Sequence, residues 1–351
     1  MILGRTLLVL ALVAGGLAQC GRKPPLPLLP PAPVKAGPEI RLDTQAVPLN
    51  GADPTQVAVG RFVYAGGLAI TSPDTSRLHG LSDLKINAEG ALLAVTDDGD
   101  LFEARLVLDD AGRLASLTAG KLSPLRDPQG QPVQGKARGD AEGLAVLANG
   151  DRLVSFERDH RIWLYPAAAD GSFGPPRPVN KPATTFPDNE GMEALTAYPA
   201  AGPDAYLVGG EEGETWLCRI STPCQTLPAQ SPPDFNWGLT AFASFEGASI
   251  ATVHRTVDPL KGWRNQVRFV LDPRAPAGRQ FLAAHLTLDG PLTRDNFEGV
   301  ALSRTPSGAT RLYLLSDDNA ALGQRTLLLA FDWTAPPPPP PAPAKPVKRR
   351  R

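Results

Sequence analysis

The chain is poor in the residues that build most metal, redox and nucleophilic centres: of its 351 residues only three are cysteine, four histidine and two methionine. It has no Cys-x-x-Cys pair and no histidine cluster, which excludes structural zinc sites built on such spacings. Gly-x-Ser-x-Gly is absent, so an elbow-type serine hydrolase has no support. The phosphate-cradling Gly-x-x-x-x-Gly-Lys-Ser/Thr is absent as well. The apolar run from Thr6 to Leu17 is too short for a spanning helix, which needs about 20 apolar residues. Neither sign of charge dominates: 35 basic and 36 acidic residues give a net charge of −1. That balance hides an asymmetry. Without residues 1–39 and 336–351 the chain carries 26 basic and 35 acidic residues, a net of −9. Such an acidic body argues against nucleic acid as a ligand and suits cation binding.

Both ends are set apart by composition. Arg5, the following apolar run and the small residues before Cys20 have the form of a bacterial secretory signal over residues 1–19. Leu17-Ala18-Gln19-Cys20 resembles a lipobox, in which the cysteine is lipidated. Gln19 departs from that motif, and ordinary cleavage after Ala18 is the alternative. Residues 20–39 are rich in proline, which gives an extended, semi-rigid tether. If Cys20 carries lipid, Cys218 and Cys224 are left to pair in an oxidising compartment, two free thiols being the other reading. The resulting expectation is a monomeric periplasmic or outer-membrane-anchored lipoprotein. Residues 336–351 form a polyproline arm ending in Lys348-Arg349-Arg350-Arg351, too poor in core-forming groups to fold.

Between the arms one phrase recurs. A short apolar run opens near a glycine, a second ends in acidic residues, and a third follows a turn. Asn296-Phe297-Glu298-Gly299-Val300, then Leu312 to Asp318, then Thr326 to Phe331 is the clearest copy. Earlier copies open at Gly80, Gly143, Ala194 and Gly238, so successive openings lie 63, 51, 44 and 61 residues apart. Short branched or aromatic runs between turn residues read as antiparallel strands. Such units repeating every 40–50 residues or so mark a propeller, whose blades must stack to bury their faces. The spacing predicts an all-β propeller over residues 40–335, with loop insertions accounting for the unequal intervals. Five repeats are visible. A sixth blade is expected from Val57–Tyr64 and Leu68–Ile70, with ring closure by strands from both ends.

In such a ring the innermost strands crowd their entry residues around one axis. Alignment on the repeat glycines would bring His79, Glu142, Glu193, Trp237 and Glu298 together. The second strands end at Asp97-Asp98, Glu157, Glu211-Glu212, His254 and Asp317-Asp318 and would form a second ring. Crowded, partly desolvated carboxylates are costly unless a cation or proton sits among them. Glu142, Glu193, Glu298, Asp97 and Asp317 are therefore candidate ligands of a divalent cation, calcium above all. His79 and His254 are candidate acid/base or phosphate-contacting groups. Acid-Gly before a strand and Ser-Asp-Asp after one are also ordinary turn chemistry, and both readings stand at this point.

The residues also resemble a known family. The Gly-Leu-Ser that starts at Gly80, with Thr96-Asp97-Asp98, Asp140-Ala141-Glu142-Gly143-Leu144, Asn189-Glu190-Gly191-Met192-Glu193 and the closing Asn296 to Leu328 pattern, is similar to the phytase-like (esterase-like activity of phytase) family of secreted bacterial proteins. The Asp-Asp-Pro-Ala signature of alkaline β-propeller phytases does not occur. The resemblance implies a β-propeller and hydrolysis of a phosphate ester or another ester. A non-catalytic propeller that binds an envelope ligand or protein is the second expectation.

Overall fold

The computed structural model describes residues 38–133, 135–168, 172–276 and 281–333. The signal sequence, Cys20, nearly all of the tether and the basic arm lie outside these residues. Strands β1 (Asp43–Ala46), β2 (Ala58–Val59) and β3 (Phe62–Thr71) come first. Four antiparallel sheets of four strands follow in chain order. The first is β4 (Leu81–Ile86), β5 (Ala91–Thr96), β6 (Asp100–Leu108) and β7 (Leu114–Pro124). After the short helix α1 (Lys136–Gly139) come β8 (Ala141–Val146), β9 (Arg152–Phe156), β10 (Arg161–Tyr165) and β11 (Arg177–Pro178). The third is β12 (Ala194–Ala197), β13 (Ala205–Gly209), β14 (Thr215–Arg219) and β15 (Gln225–Leu227). The fourth is β16 (Gly238–Ser244), β17 (Ile250–Asp258), β18 (Gly262–Val270) and β19 (Phe281–Leu288). The last sheet takes β20 (Asn296–Arg304), β21 (Thr310–Asp317) and β22 (Leu327–Trp333) from one end of the chain and β3 and β1 from the other.

The first strands β4, β8, β12, β16 and β20 each contact the next, and β20 returns to β4, which closes the ring. Each gap between neighbouring sheets is filled by its own apolar cluster. Strand β21 shows how one element serves two gaps. Leu312 and Leu314 pack towards β16–β19, whereas Tyr313 and Leu315 pack towards β4–β7. Successive side chains leave opposite faces of a strand, so a strand covered on both faces is apolar without alternation. All eight residues of β21 are accordingly buried.

The described residues form five sheets rather than six. Val63, Leu68 and Ala69, expected to seed a separate blade, pair instead with Asp332, Leu328 and Leu327. The β-bonding edge of β22 captures β3 as the fourth strand of the last sheet, and Ala58–Val59 forms only a two-residue strand against it. The expected closure by both ends of the chain is present. A stack of Trp333 on Phe269, with ring centroids 4.2 Å apart, and of Phe62 on Trp333 at 5.8 Å packs this seam against the fourth sheet. Cys218 and Cys224 are disulfide-bonded across the turn between β14 and β15.

Candidate functional site

Two of the repeat's acidic residues, Glu142 and Glu298, sit at a backbone irregularity. Register between β8 and β9 passes from Ala141↔Phe156 to Gly143↔Ser155, which leaves Glu142 as an extra residue. Strand β20 does the same at Glu298, between Phe297↔Ser316 and Gly299↔Leu315. Strand β16 does so at Thr240, between Leu239↔His254 and Ala241↔Val253. A bulge of this kind bends the strand and re-aims a side chain. The glycine after each bulged glutamate is where the neighbouring blade closes in. A Cβ on Gly143 would lie 2.6 Å from Leu195 Cβ, and one on Gly299 would lie 3.0 Å from Leu84 Cβ. Glu-Gly in the repeat is thus a bulged acid followed by an inter-blade contact too close for a side chain.

Around the axis, oxygens of Asp140, Glu142 and Glu157 lie within 4.8 Å of one another. Burial drives the Glu142 carboxyl well above its ordinary range, and Glu193, Asp140, Glu157 and Glu298 add repulsion. Glu193 is raised in the same way by burial and then by Glu157, Glu211 and Glu298. Burial followed by Asp140 pushes Glu157 up to about 7. Three cations offset part of this charge. Arg158 Nε donates to Asp140 Oδ2 at 2.7 Å. Lys136 Nζ lies 2.7 Å from Asp97 Oδ2 and 3.8 Å from Asp140 Oδ1. Arg255 lies 3.1 Å from Glu298 Oε1 and 3.7 Å from Glu211 Oε1. Two buried oxygens, Asp140 Oδ1 and Asp97 Oδ1, have no hydrogen-bond partner among the described residues.

That donor set fits a hard cation. Oxygens about 2.4 Å from one calcium ion stand up to about 4.8 Å apart, and calcium tolerates irregular geometry. Asp140, Glu142 and Glu157 meet that spacing, and a buried carboxylate oxygen without a donor lies among them.

Farther along the axis the charge is internally matched. Asp83, at φ 46° in β4, is fully buried. Its Oδ1 lies 2.6 Å from Lys85 Nζ, and its Oδ2 accepts the Leu144 N–H of the next blade at 2.7 Å. A cavity of about 250 Å³ opens beyond this pair, lined by Lys85, Thr196, Ser244 and Leu302 among others.

The expected ligands are brought together unequally. Glu142 belongs to the oxygen trio, while Glu193 and Glu298 are its electrostatic neighbours. Asp97 stands at the edge, paired with Lys136, and burial raises it to about 6. Asp317 accepts the Asn319 N–H at 2.6 Å and the Asn296 amide at 3.3 Å, so part of its role is turn chemistry. Asp318 accepts from Gly80 N at 3.1 Å and from the Thr326 hydroxyl at 2.9 Å. His79 Nε2 is 3.4 Å from Asp98 Oδ2, and that contact holds its imidazole pKa up.

His254 does not join the site. Its Nε2 lies 3.2 Å from the Gln230 carbonyl, and burial lowers its pKa to about 4. Neighbouring side chains on a strand face opposite ways, so the adjacent Arg255 is the one that meets the carboxylates. Asp140 is the ligating candidate that repeat alignment does not single out, and Glu157 is one that the alignment puts in the second ring without naming it a ligand. Their signal is the Asp-x-Glu spacing across the bulge, together with the register that sets Ala141 opposite Phe156.

Solved structures with a similar course share little sequence with the chain. A streptogramin B lyase is 10% identical, with 84% of this chain and 98% of that one covered and a TM-score of 0.40. A virginiamycin B lyase from Staphylococcus aureus is 9% identical, covering 84% of this chain and 100% of its own, with a TM-score of 0.39. The Swd1 β-propeller domain of Myceliophteria thermophila is 12% identical, with coverages of 85% and 100% and a TM-score of 0.38. No curated protein sequence matches. A family model described as phytase-like, esterase-like activity of phytase, matches residues 76–320. With that match over well more than half of its length, the chain belongs to the phytase-like family.

Proposed function

We propose that the acidic end of the axis is a divalent-cation site, calcium being the best fit, that supports hydrolysis of a phosphate ester or related ester. The observation that carries this reading is the Asp140, Glu142 and Glu157 oxygen trio with a buried, undonated Asp140 Oδ1. The family's description, esterase-like activity of phytase, agrees with it. The bound ion would polarise the ester oxygen and acidify a water. Arg158 and Lys136 hold the Asp140 carboxylate in place, and burial raises the neighbouring Glu193 and Glu157 carboxyls. His79, whose pKa is raised by its contact with Asp98, stands at the edge as the group suited to donate to a leaving oxygen. The Leu17–Cys20 stretch and the proline-rich tether support attachment to the bacterial envelope through Cys20.

Calorimetric titration of calcium into chelator-treated protein tests the site. Saturable binding that Glu142→Gln abolishes is expected, together with calcium-dependent activity on a panel of phosphate and carboxylic esters. Glu298→Gln should weaken binding less, because Glu298 is already engaged by Arg255. The second reading, a non-catalytic binding propeller, is favoured by the three cations that already neutralise part of the ring. Absence of calcium binding in the unmodified chain would leave that reading alone.

A further inference from the structure

Glu142, Glu193 and Glu298 stand at or just before the starts of β8, β12 and β20. The cavity of about 250 Å³ is built instead from the later residues of the inner strands. Lys85 and Ile86 end β4, Val146 ends β8, Thr196 and Ser244 come from the ends of β12 and β16, and Leu302 comes from β20. All five blades therefore contribute to one concave space, which is the mouth of the central channel away from the acidic cluster.

Lys85 is the one charged side chain in that lining. Its ammonium carries three donors. One goes to Asp83 Oδ1 at 2.6 Å and one to the Phe242 carbonyl of the fourth blade at 3.3 Å. No acceptor among the described residues takes the third. The Asp83 side chain is 0% exposed and that of Lys85 is 16% exposed. Asp83 Oδ1 also accepts the Leu84 N–H, and Oδ2 accepts the Leu144 N–H. The carboxylate is thus used up inside the wall, and the pole left towards the cavity is the ammonium. Burial lowers the Lys85 pKa and Asp83 opposes that shift; an anion in the cavity would favour the charged amine further. A second donor is at hand in Thr196. Its Oγ1 accepts the Ser244 N–H at 3.3 Å, and its own hydrogen has no acceptor among the described residues.

We infer that this mouth is a second binding site, for a small monocarboxylate with an aliphatic or aromatic body. Lys85 is its counter-ion, Thr196 supplies a further donor, and Ile86, Val146 and Leu302 take the apolar part. Pockets of this kind combine apolar walls with a few placed polar groups, and a space below the usual range of roughly 300–1,000 Å³ suits a compound of about ten non-hydrogen atoms. A phosphate dianion or a dicarboxylate would bring in more charge than one ammonium can balance. The site goes beyond the proposed cation centre and does not depend on it or on hydrolysis.

The test is calorimetric titration of benzoate and of hexanoate into the exported full chain, treated with chelator so that no divalent cation at the acidic end contributes. Saturable binding of one equivalent of at least one probe is expected. Benzamide and hexanamide should bind about tenfold or more weakly, the usual loss when a hydrogen bond to a charged group is removed. Val146→Trp crowds the mouth from a position that is 38% exposed, and should weaken carboxylate binding severalfold with an unchanged circular dichroism melt. Asp83→Asn/Lys85→Met removes the counter-ion together with the charge that balances it, and should leave acid and amide bound equally weakly. If that double variant does not fold, the Val146→Trp chain decides. Absence of saturable carboxylate binding to the unmodified chain, amides bound as tightly as the acids, or binding untouched by Val146→Trp would each overturn the proposal.

Discussion

At the residue scale the ring is a place where burial and charge oppose one another. Glu157 and Asp97 are pushed up by burial to about 7 and about 6. A carboxyl whose folded pKa lies above its unfolded one binds more protons in the folded state, so its contribution is present in acid and is lost as pH rises through the folded value. His79, raised by Asp98, acts with the same sign. The melting temperature of chelator-treated protein should therefore fall between about pH 5 and pH 8. Calcium should restore more of it at pH 8 than at pH 5, because protons and cation compete for the same oxygens. A pH-independent melt would contradict this account. Convergence of Glu142, Glu193 and Glu298 was legible from the repeat, since equivalent positions in equivalent blades must meet at an axis. The particular trio was not. It depends on a bulge that moves Glu142 between the residues paired with Phe156 and Ser155, and no periodicity reports a one-residue slip. His254 failed as a candidate for a related reason: a strand's two faces differ by a single position, and Arg255 took the inner one.

At the scale of single elements, the first two or three strands of each blade were plain in the sequence and the outermost ones were not. Strands β9, β13 and β21 are covered on both sides and read as continuous apolar runs. Strand β7 mixes buried and exposed residues irregularly, and β11 and β15 have two and three residues. An outer strand has little to cover, so composition does not mark it. The glycine that follows each bulged glutamate yields a sharp expectation. A Cβ at Gly143 would sit 2.5 Å from Ser155 Oγ and 2.6 Å from Leu195 Cβ. Gly143→Ala should cost roughly 1–3 kcal/mol by overpacking the gap between two blades. Denaturant midpoints would read the loss, and calcium binding should weaken with it because Glu142 is adjacent. The Cys218–Cys224 bond closes a loop of sequence separation 6. Its removal by paired alanine substitution should cost roughly 2 kcal/mol, without effect on the distant cation site.

At the scale of the whole molecule, stability rests on keeping the ring shut. Each sheet is apolar on both faces and no blade can stand alone, so opening one seam exposes two clusters. The seam is held by β3 against β22 and by the Phe62, Phe269 and Trp333 stack. Trp333→Ala should destabilise the protein by about 3–5 kcal/mol, the usual cost of deleting a buried large aromatic. Unfolding by heat or denaturant should remain a single transition, since loss of the seam unsettles the neighbouring gaps. A separate early transition confined to the last sheet would count against a ring that melts as one.

Ring closure by strands from opposite ends also fixes a timetable. A chain emerging N-terminus first releases Phe62–Thr71 about 250 residues before Leu327–Trp333 exists to receive it, and a waiting strand edge is an aggregation hazard. Until then the first four blades cannot shut the ring, because β22, which receives β3, is still missing. Nascent chains stalled short of Leu327 should therefore stay sensitive to protease across the entire length of the barrel-like body, and release of those final residues should convert all five sheets to resistance together.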